Sequence, residues 1–319
     1  MATRARGIIS EMAIAFEGTY GDPATAGTYH KVPFLTDSLG ADEPFDDQPE
    51  LGTGRRDAQT PSRGARDVNG DMTLPMRLDA LGFWLRLLFG DPDVSGAAPD
   101  FVHTFKSGTL SALPSMVVEK KYKSGIFWVY SGVKANTLNI TMSRGGFPQV
   151  TVGLIGANET KAAVTGAGTP SLVRGAKAHQ FQATLKKGGT KFARVTSFEF
   201  NFSNNLDPIE SVGDGGIRDA IDEGLSSATG NMSARFEDFA NYDIAVNDST
   251  IDIEMAWTIA ANKSLTITLH KARLARPRQP IEGPGGVSQN FEWRAEDDIS
   301  GAGQMMTVTL ANQFADYTV

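Results

Sequence analysis

The chain has 319 residues, room for one large domain or two of roughly 150. It contains no cysteine, which excludes disulfides, thiolate metal sites and a cysteine nucleophile. A net charge of −7 argues against general nucleic-acid binding, and 18 Phe, 6 Tyr and 4 Trp are too many for a disordered chain.

The first residues are basic, but Glu11 interrupts the apolar stretch that follows, so no signal peptide is expected. The most apolar window, residues 81–89, is far shorter than the ~20 residues of a membrane span. A soluble protein made in a cytoplasm is expected. Met12, Ile14 and Phe16 then alternate with Ala13, Ala15 and Glu17, the period of a strand with one face on a core. Residues 36–67 form a long polar loop rich in Asp, Gly, Pro and Arg. Loops of that length are usually functional or disordered.

A helix is expected over residues 79–89, with Asp79 as N-cap and Gly90 as the stop. It is apolar on most sides and should be well buried. Alternation returns at Leu138, Ile140 and Met142 against Asn139, Thr141 and Ser143, and at Phe198, Phe200 and Phe202 against Glu199, Asn201 and Ser203. Residues 204–227 form a second polar stretch, with a short helical option at 217–223. A weak helix is expected over 239–246, placing Phe239, Tyr242 and Val246 on one face. Two further alternating stretches follow, with Ile251, Ile253 and Met255 apolar in one and Leu265, Ile267 and Leu269 in the other. Gly-rich turns punctuate the strands, at Gly145-Gly146, Gly188-Gly189 and Gly285-Gly286, so much of the glycine content is turn chemistry.

These pieces recur in order. Gly70-Asp71-Met72-Thr73 resembles Gly230-Asn231-Met232-Ser233, and each is followed by a helix and then strands. Gly145-Gly146 with Gln149 recurs as Gly285-Gly286 with Gln289. Upstream of each set lies an alternating strand, 8–16 in one and 195–202 in the other, and then a long polar loop. The order predicts two tandem modules, 1–175 and 176–319.

Reactive constellations are not legible. His30, His103, His179 and His270 lack metal-ligand spacing, and no Gly-x-Ser-x-Gly elbow or phosphate loop occurs. Neither a catalytic residue, nor a metal site, nor a cofactor is expected. Two other functions stay open on the residues. One is a carbohydrate-binding or adhesion β-sandwich of a virion, with Trp128, Tyr130, Trp257 and Trp293 lining a groove. The other is a β-rich glycan hydrolase using a carboxylate pair.

Four segments carry a family resemblance: VKANTLNITMS at 133–143 with VTVGLIGA at 150–157, TSFEFNFSNN at 196–205, ATGNMSARF at 228–236, and MTVTLANQ at 306–313. Together they resemble the major tail tube proteins of long-tailed, siphovirus-like bacteriophages. The resemblance implies a mainly β fold of tail-tube-type β-sandwich or barrel modules, each with a flanking α-helix. It implies rings that stack into a hollow tube conducting DNA from capsid to host cell. It also implies a virion-tail location after assembly in the host cytoplasm, and tape measure, tail terminator and baseplate or tail-tip proteins as partners. Such tubes have six modules per ring, so two modules per chain predict a homotrimeric ring with pseudo-sixfold symmetry, the alternative being a homohexamer. DNA would pass the lumen without specific binding, and no membrane would be involved. Candidate lumen residues are Asn139, Thr141, Ser143 and Thr151 on the central hairpin. Candidates for an arm reaching the next ring are Asp42, Glu43, Asp46, Asp47, Arg55, Arg56 and Arg63 in the long polar loop.

Overall fold

The structure is a computed structural model that describes residues 4–51, 54, 56–212, 215–279, 281 and 283–318. Its principal elements in the first half are β1 (Glu11–Phe16), β2 (Asp67–Pro75), α1 (Leu78–Phe89), β3 (Asp100–Lys106), β4 (Met116–Lys123), β5 (Ile126–Met142), β6 (Gln149–Gly156) and β7 (Asn158–Ala162). The second half adds β8 (Ala183–Lys187), β9 (Val195–Ser203), β10 (Ser227–Arg235), α2 (Ala240–Val246), β11 (Ile251–Ala260), β12 (Lys263–Leu274), β13 (Ser288–Ala295) and β14 (Met306–Asn312). The fold is mainly β, as the alternation predicts.

β5 is long enough to serve two layers. Its first half joins the order β1–β4–β5–β7. Its second half pairs with β6, which pairs with β2, and the outer edge of β2 takes the short strands Thr36–Asp37 and Gly40–Asp42. The second half of the chain has the same two orders. β8–β11–β12–β14 is one, and β12–β13–β10–β9 is the other. By pairing, β9 stands where residues 36–42 stand in the first half, and β8 stands where β1 does. This differs from matching β1 with β9 by their alternation alone. Gly70 and Gly230, the glycines that recur in the sequence, have one role. A Cβ on Gly70 would strike the backbone of Leu39 and Ser38, and one on Gly230 the carbonyl of Glu199. Each lets the neighbouring chain lie close.

The end of β5 also pairs with β9, from Thr137 opposite Ser203 to Met142 opposite Phe198. That contact fuses the halves into one sheet in the order β2–β6–β5–β9–β10–β13. Its inner face is apolar and buried: Met72 and Leu74, Val150 and Val152, Leu138 and Ile140, Phe198, Phe200 and Phe202, Met232, Phe291 and Trp293. α1 packs beneath it against β5, β3 and β14. Eleven of the twelve α1 residues are buried, including Phe83, Trp84 and Leu85. Asn204 ties the helix to the sheet by donating to the carbonyls of Leu88 and Ala135 at 3.0 and 3.1 Å.

Several expectations need correction. Asp79 is not the N-cap. Arg77 holds that position without a side-chain cap bond, and the main chain of Leu78 is tied instead to the Ala176 carbonyl at 2.9 Å. β1 is not half-buried, because Ala13 and Ala15 are covered as well as Met12 and Ile14. The side carrying Ala13 is roofed by residues 165–167, whose amides and Thr165 hydroxyl bind the buried Glu119 carboxylate opposite Ala13. Residues 217–223 are not helical. Arg218–Asp222 pairs with Asp207–Glu210 as a hairpin, and Arg218 donates to the Val68 carbonyl at 2.9 Å and to Asp67 at 2.5 Å. The proposed aromatic groove does not exist either. Tyr130, Trp257 and Trp293 are 3%, 0% and 2% exposed, so they are core residues rather than a sugar platform.

Candidate assembly surfaces

The outward face of the fused sheet is built by period-two alternation alone. Every inward Val, Ile or Phe forces its neighbours outward, and those neighbours are Thr, Asn, Ser, Gln and a few charges. Register aligns them in rows. One row runs Thr36, Thr73, Thr151, Asn139, Asn201, Thr229, Arg294, Arg273 across both halves. Thr141 stands opposite Glu199 in the adjacent row. The side chains satisfy one another: the Thr73 and Thr151 hydroxyls lie 3.4 Å apart, and Asn231 donates to Glu199 at 3.1 Å. The one outward lysine among the described residues of these six strands is Lys134, opposite Ile155, where it donates to the Ile221 carbonyl and to Glu223 beneath the 207–222 hairpin.

Three of the four lumen candidates, Asn139, Thr141 and Thr151, therefore share this face. Ser143 falls one residue beyond β5, in the turn, where its hydroxyl meets the Gly145 carbonyl at 3.4 Å. Glu199, Asn201, Thr229, Asn231 and Arg294 extend the face and were not among the candidates. Their alternation was legible, but their adjacency to the first hairpin depends on the β5–β9 pairing.

The arm candidates lie at one end of the same sheet, beside Asp67. Residues 36–42 are strapped onto β2, and the strap is pinned from below. The Lys120 ammonium, buried beneath it, pairs with Asp37 and donates to the Leu39 carbonyl at 2.5 Å. Burial pushes the Lys120 proton affinity down, and Asp37 opposes that shift. Beyond Asp42 the chain leaves the body as a paired arm. Glu43 clamps its base, bound to Arg66 at 2.5 Å and Arg63 at 3.2 Å, and these guanidiniums, Arg66 first, hold its carboxyl below the usual carboxylate range. Phe45 and Asp46 pair with Arg63 and Ser62. Further out, Glu50 and Gln59 exchange two hydrogen bonds of 2.9 Å. The long polar segment is thus a supported hairpin rather than a loose loop. Asp42, Asp46, Asp47 and Arg56 are exposed along it, whereas Arg55 lies outside the described residues. The arm and the hairpin candidates stay separate.

The chain is thus mainly β, with a polar sheet face that the 207–222 hairpin covers at one end, an apolar reverse side and a projecting arm. The family model described as phage tail tube protein matches residues 7–295. The chain belongs to the phage tail tube protein family. No curated protein matches it. It is a structural subunit of a phage tail tube, the virion part whose stacked rings conduct DNA from the capsid. Nothing in this role calls on the four histidines. His103 donates to the Phe314 carbonyl at 2.8 Å, and the half-buried His30 packs on Phe83. Among the described residues, no group of three His, Asp or Glu side chains is placed to hold a metal ion, and no helix is long and apolar enough to cross a membrane.

Proposed function

We propose that this tail tube subunit is a tandem duplication, with modules at 1–175 and 176–319, and that three chains close a ring of pseudo-sixfold symmetry. The recurrence of both pairing orders supports the duplication, as does the shared role of Gly70 and Gly230. The observation that carries the ring is the join between halves. In the chain, the end of β5 pairs with β9. The matching positions at the outer ends are residues 275–279, which continue β12 beside β13, and residues 36–42, which line β2. Neither outer edge takes a further strand among the described residues, though side chains cap part of the 36–42 edge, where Glu159 accepts from the Ala41 amide at 3.2 Å and Lys120 donates to the Leu39 carbonyl. Edges of that kind invite pairing. A ring lets residues 275–279 of one chain meet 36–42 of the next, repeating between chains the contact already made within one.

The polar face then lines the lumen, with Asn139, Thr141 and Thr151 joined by Asn201 and Thr229. Asp71, Glu199 and Glu292 offset Arg235, Arg273 and Arg294 there in number. Phosphate is not gripped by such a wall, because retention needs clustered cations. The subunit is structural and not an enzyme, it assembles in the host cytoplasm, and its partners are its own copies, a tape measure protein, a tail terminator and baseplate or tail-tip proteins. The arm at 43–66 reaches the neighbouring ring.

Cryo-EM of tubes assembled from the chain tests the proposal. Three chains per ring with Asn139, Thr141 and Thr151 at the channel wall are expected. Six chains per ring, or those residues on the outer surface, would overturn it. A second readout is functional: Thr141→Lys with Asn201→Lys should leave tubes intact but slow DNA ejection from particles.

A further inference from the structure

The arm leaves one end of the fused sheet, and an unoccupied apolar groove opens at the other. β2 runs from Asp67, beside the arm base, to Pro75, opposite Gln149, a span of about 26 Å at ~3.3 Å per residue. β5 ends at that far side with Met142, and β9 begins there. Met142, Phe181, Leu185, Phe192, Val195 and Phe198 line a cavity of 670 Å³. Phe181 stands 73% exposed at its lip, with the His179 ring against it at 4.4 Å. The mouth carries Arg144, Lys186 and Lys191, and no carboxylate lines the groove. Lys186 is paired with Glu254 at 2.7 Å, whereas Arg144 and Lys191 enter no ion pair among the described residues.

The outgoing strand of the arm has the complementary composition. Phe45 and Leu51 are 70% and 100% exposed, and between them lie Asp46, Asp47 and Glu50. None of these three carboxylates enters an ion pair among the described residues. Two bare apolar side chains flank an unneutralised acidic run, and an apolar trough has an unneutralised basic mouth.

We infer that the groove between β8 and β9 receives the 43–51 segment of a second copy of this chain, with Phe45 or Leu51 in the trough and Asp46 and Asp47 against Arg144 and Lys191. The inference rests on the tube reading and supplies the receiving surface that the reading lacks. The occupant is another copy for a geometric reason. Knob and socket lie at opposite ends of one sheet, so the contact is heterologous, and a heterologous contact that does not close grows without limit along one axis. Stacked rings need that property. A self-complementary patch would stop at a pair.

The absence of native cysteine makes the test clean. Full-length chain carrying Leu51→Cys and Thr196→Cys, the latter exposed on the groove wall, is assembled into tubes and oxidised. A ladder of disulfide-linked chains is expected on a non-reducing gel, with neither single variant forming one. In parallel, Asp46→Lys with Asp47→Lys should cut tube yield at least about ten-fold, because like charges now face each other. Adding Arg144→Glu and Lys191→Glu to the same chain should restore it. Circular dichroism and thermal melting of the unassembled variants check that each is folded. Tubes that form without the disulfide ladder, or that tolerate the reversed arm, overturn the inference and leave the tube reading standing. Unmodified chain that forms neither rings nor tubes overturns both.

Discussion

The two halves of the chain share their strand order, yet they treat their helices in opposite ways. α1 is twelve residues long and almost wholly buried, whereas α2 is seven residues long with no buried residue. The cover over α1 comes from the far end of the chain. Tyr317 accepts from Asn312 at 2.6 Å, donates to the Asp79 carbonyl at 2.6 Å, and packs edge-on against Phe83 at 5.0 Å. Arg86 donates to the Tyr317 carbonyl at 2.8 Å. α2 has no such cover. Phe239, at its N-cap, meets Phe236 edge-on at 5.6 Å and Tyr242 edge-on at 6.2 Å at the surface, with Arg276 donating to the Tyr242 hydroxyl at 2.9 Å. The difference teaches that both halves contribute to one core, but only the first half's helix is sealed into it, while the second half's helix leaves apolar side chains at the surface.

The largest expected effect breaks the buried side of the comparison. Gly82→Ala places a methyl group inside the Tyr317 ring, so the C-terminal cover must leave the helix. A loss of about 3 kcal/mol is expected in urea unfolding, the upper end of ordinary overpacking. Unchanged stability would mean that Tyr317 does not seal α1. A loss of similar size, about 3 kcal/mol, is expected for Lys120→Met, which strands Asp37 beneath the strap without its cation. The double variant Lys120→Met/Asp37→Asn should recover most of that loss, a cycle that separates the pair from packing.

The exposed side should respond in the reverse sense. Phe239→Ser with Tyr242→Ser should shift unfolding by no more than about 0.5 kcal/mol, as surface substitutions do, while lowering tube yield. A destabilisation matching that of Gly82→Ala would erase the distinction between the halves. The smallest effect is at the surface of the first half, where Glu11 lies between Lys31 at 3.0 Å and Lys121 at 3.2 Å. The hydrogen bond from Lys31 holds its carboxyl below the ordinary value of 4.5, against a smaller upward push from burial. Its contribution is therefore present above pH 4.5 and lost as pH falls through the lowered value. Glu11→Gln should cost under about 0.5 kcal/mol at neutral pH, since the site is exposed and screened. The acid limb of its stability curve should be correspondingly flatter.

Local pattern was enough for the strands, because a period of two in Leu138–Met142 or Phe198–Phe202 declares one apolar and one polar face wherever the strand lies. It was also enough for α1, whose apolar run allows no exposed side, and for the polarity of Asn139, Thr141 and Thr151. It failed at Arg218–Asp222, where five residues are too few to separate a helical from an extended period. It failed again at β1, where alanine is silent about what covers it. Only the tertiary structure decided which strands are neighbours. Asn139 meets Thr151 across a short turn but meets Asn201 across 62 residues of chain, and Asp67 meets Arg218 across 151. Such pairings are set by the total core they close rather than by any local preference. For that reason the polar face of one hairpin was visible in the sequence, while its extension into a single wall across both halves was not.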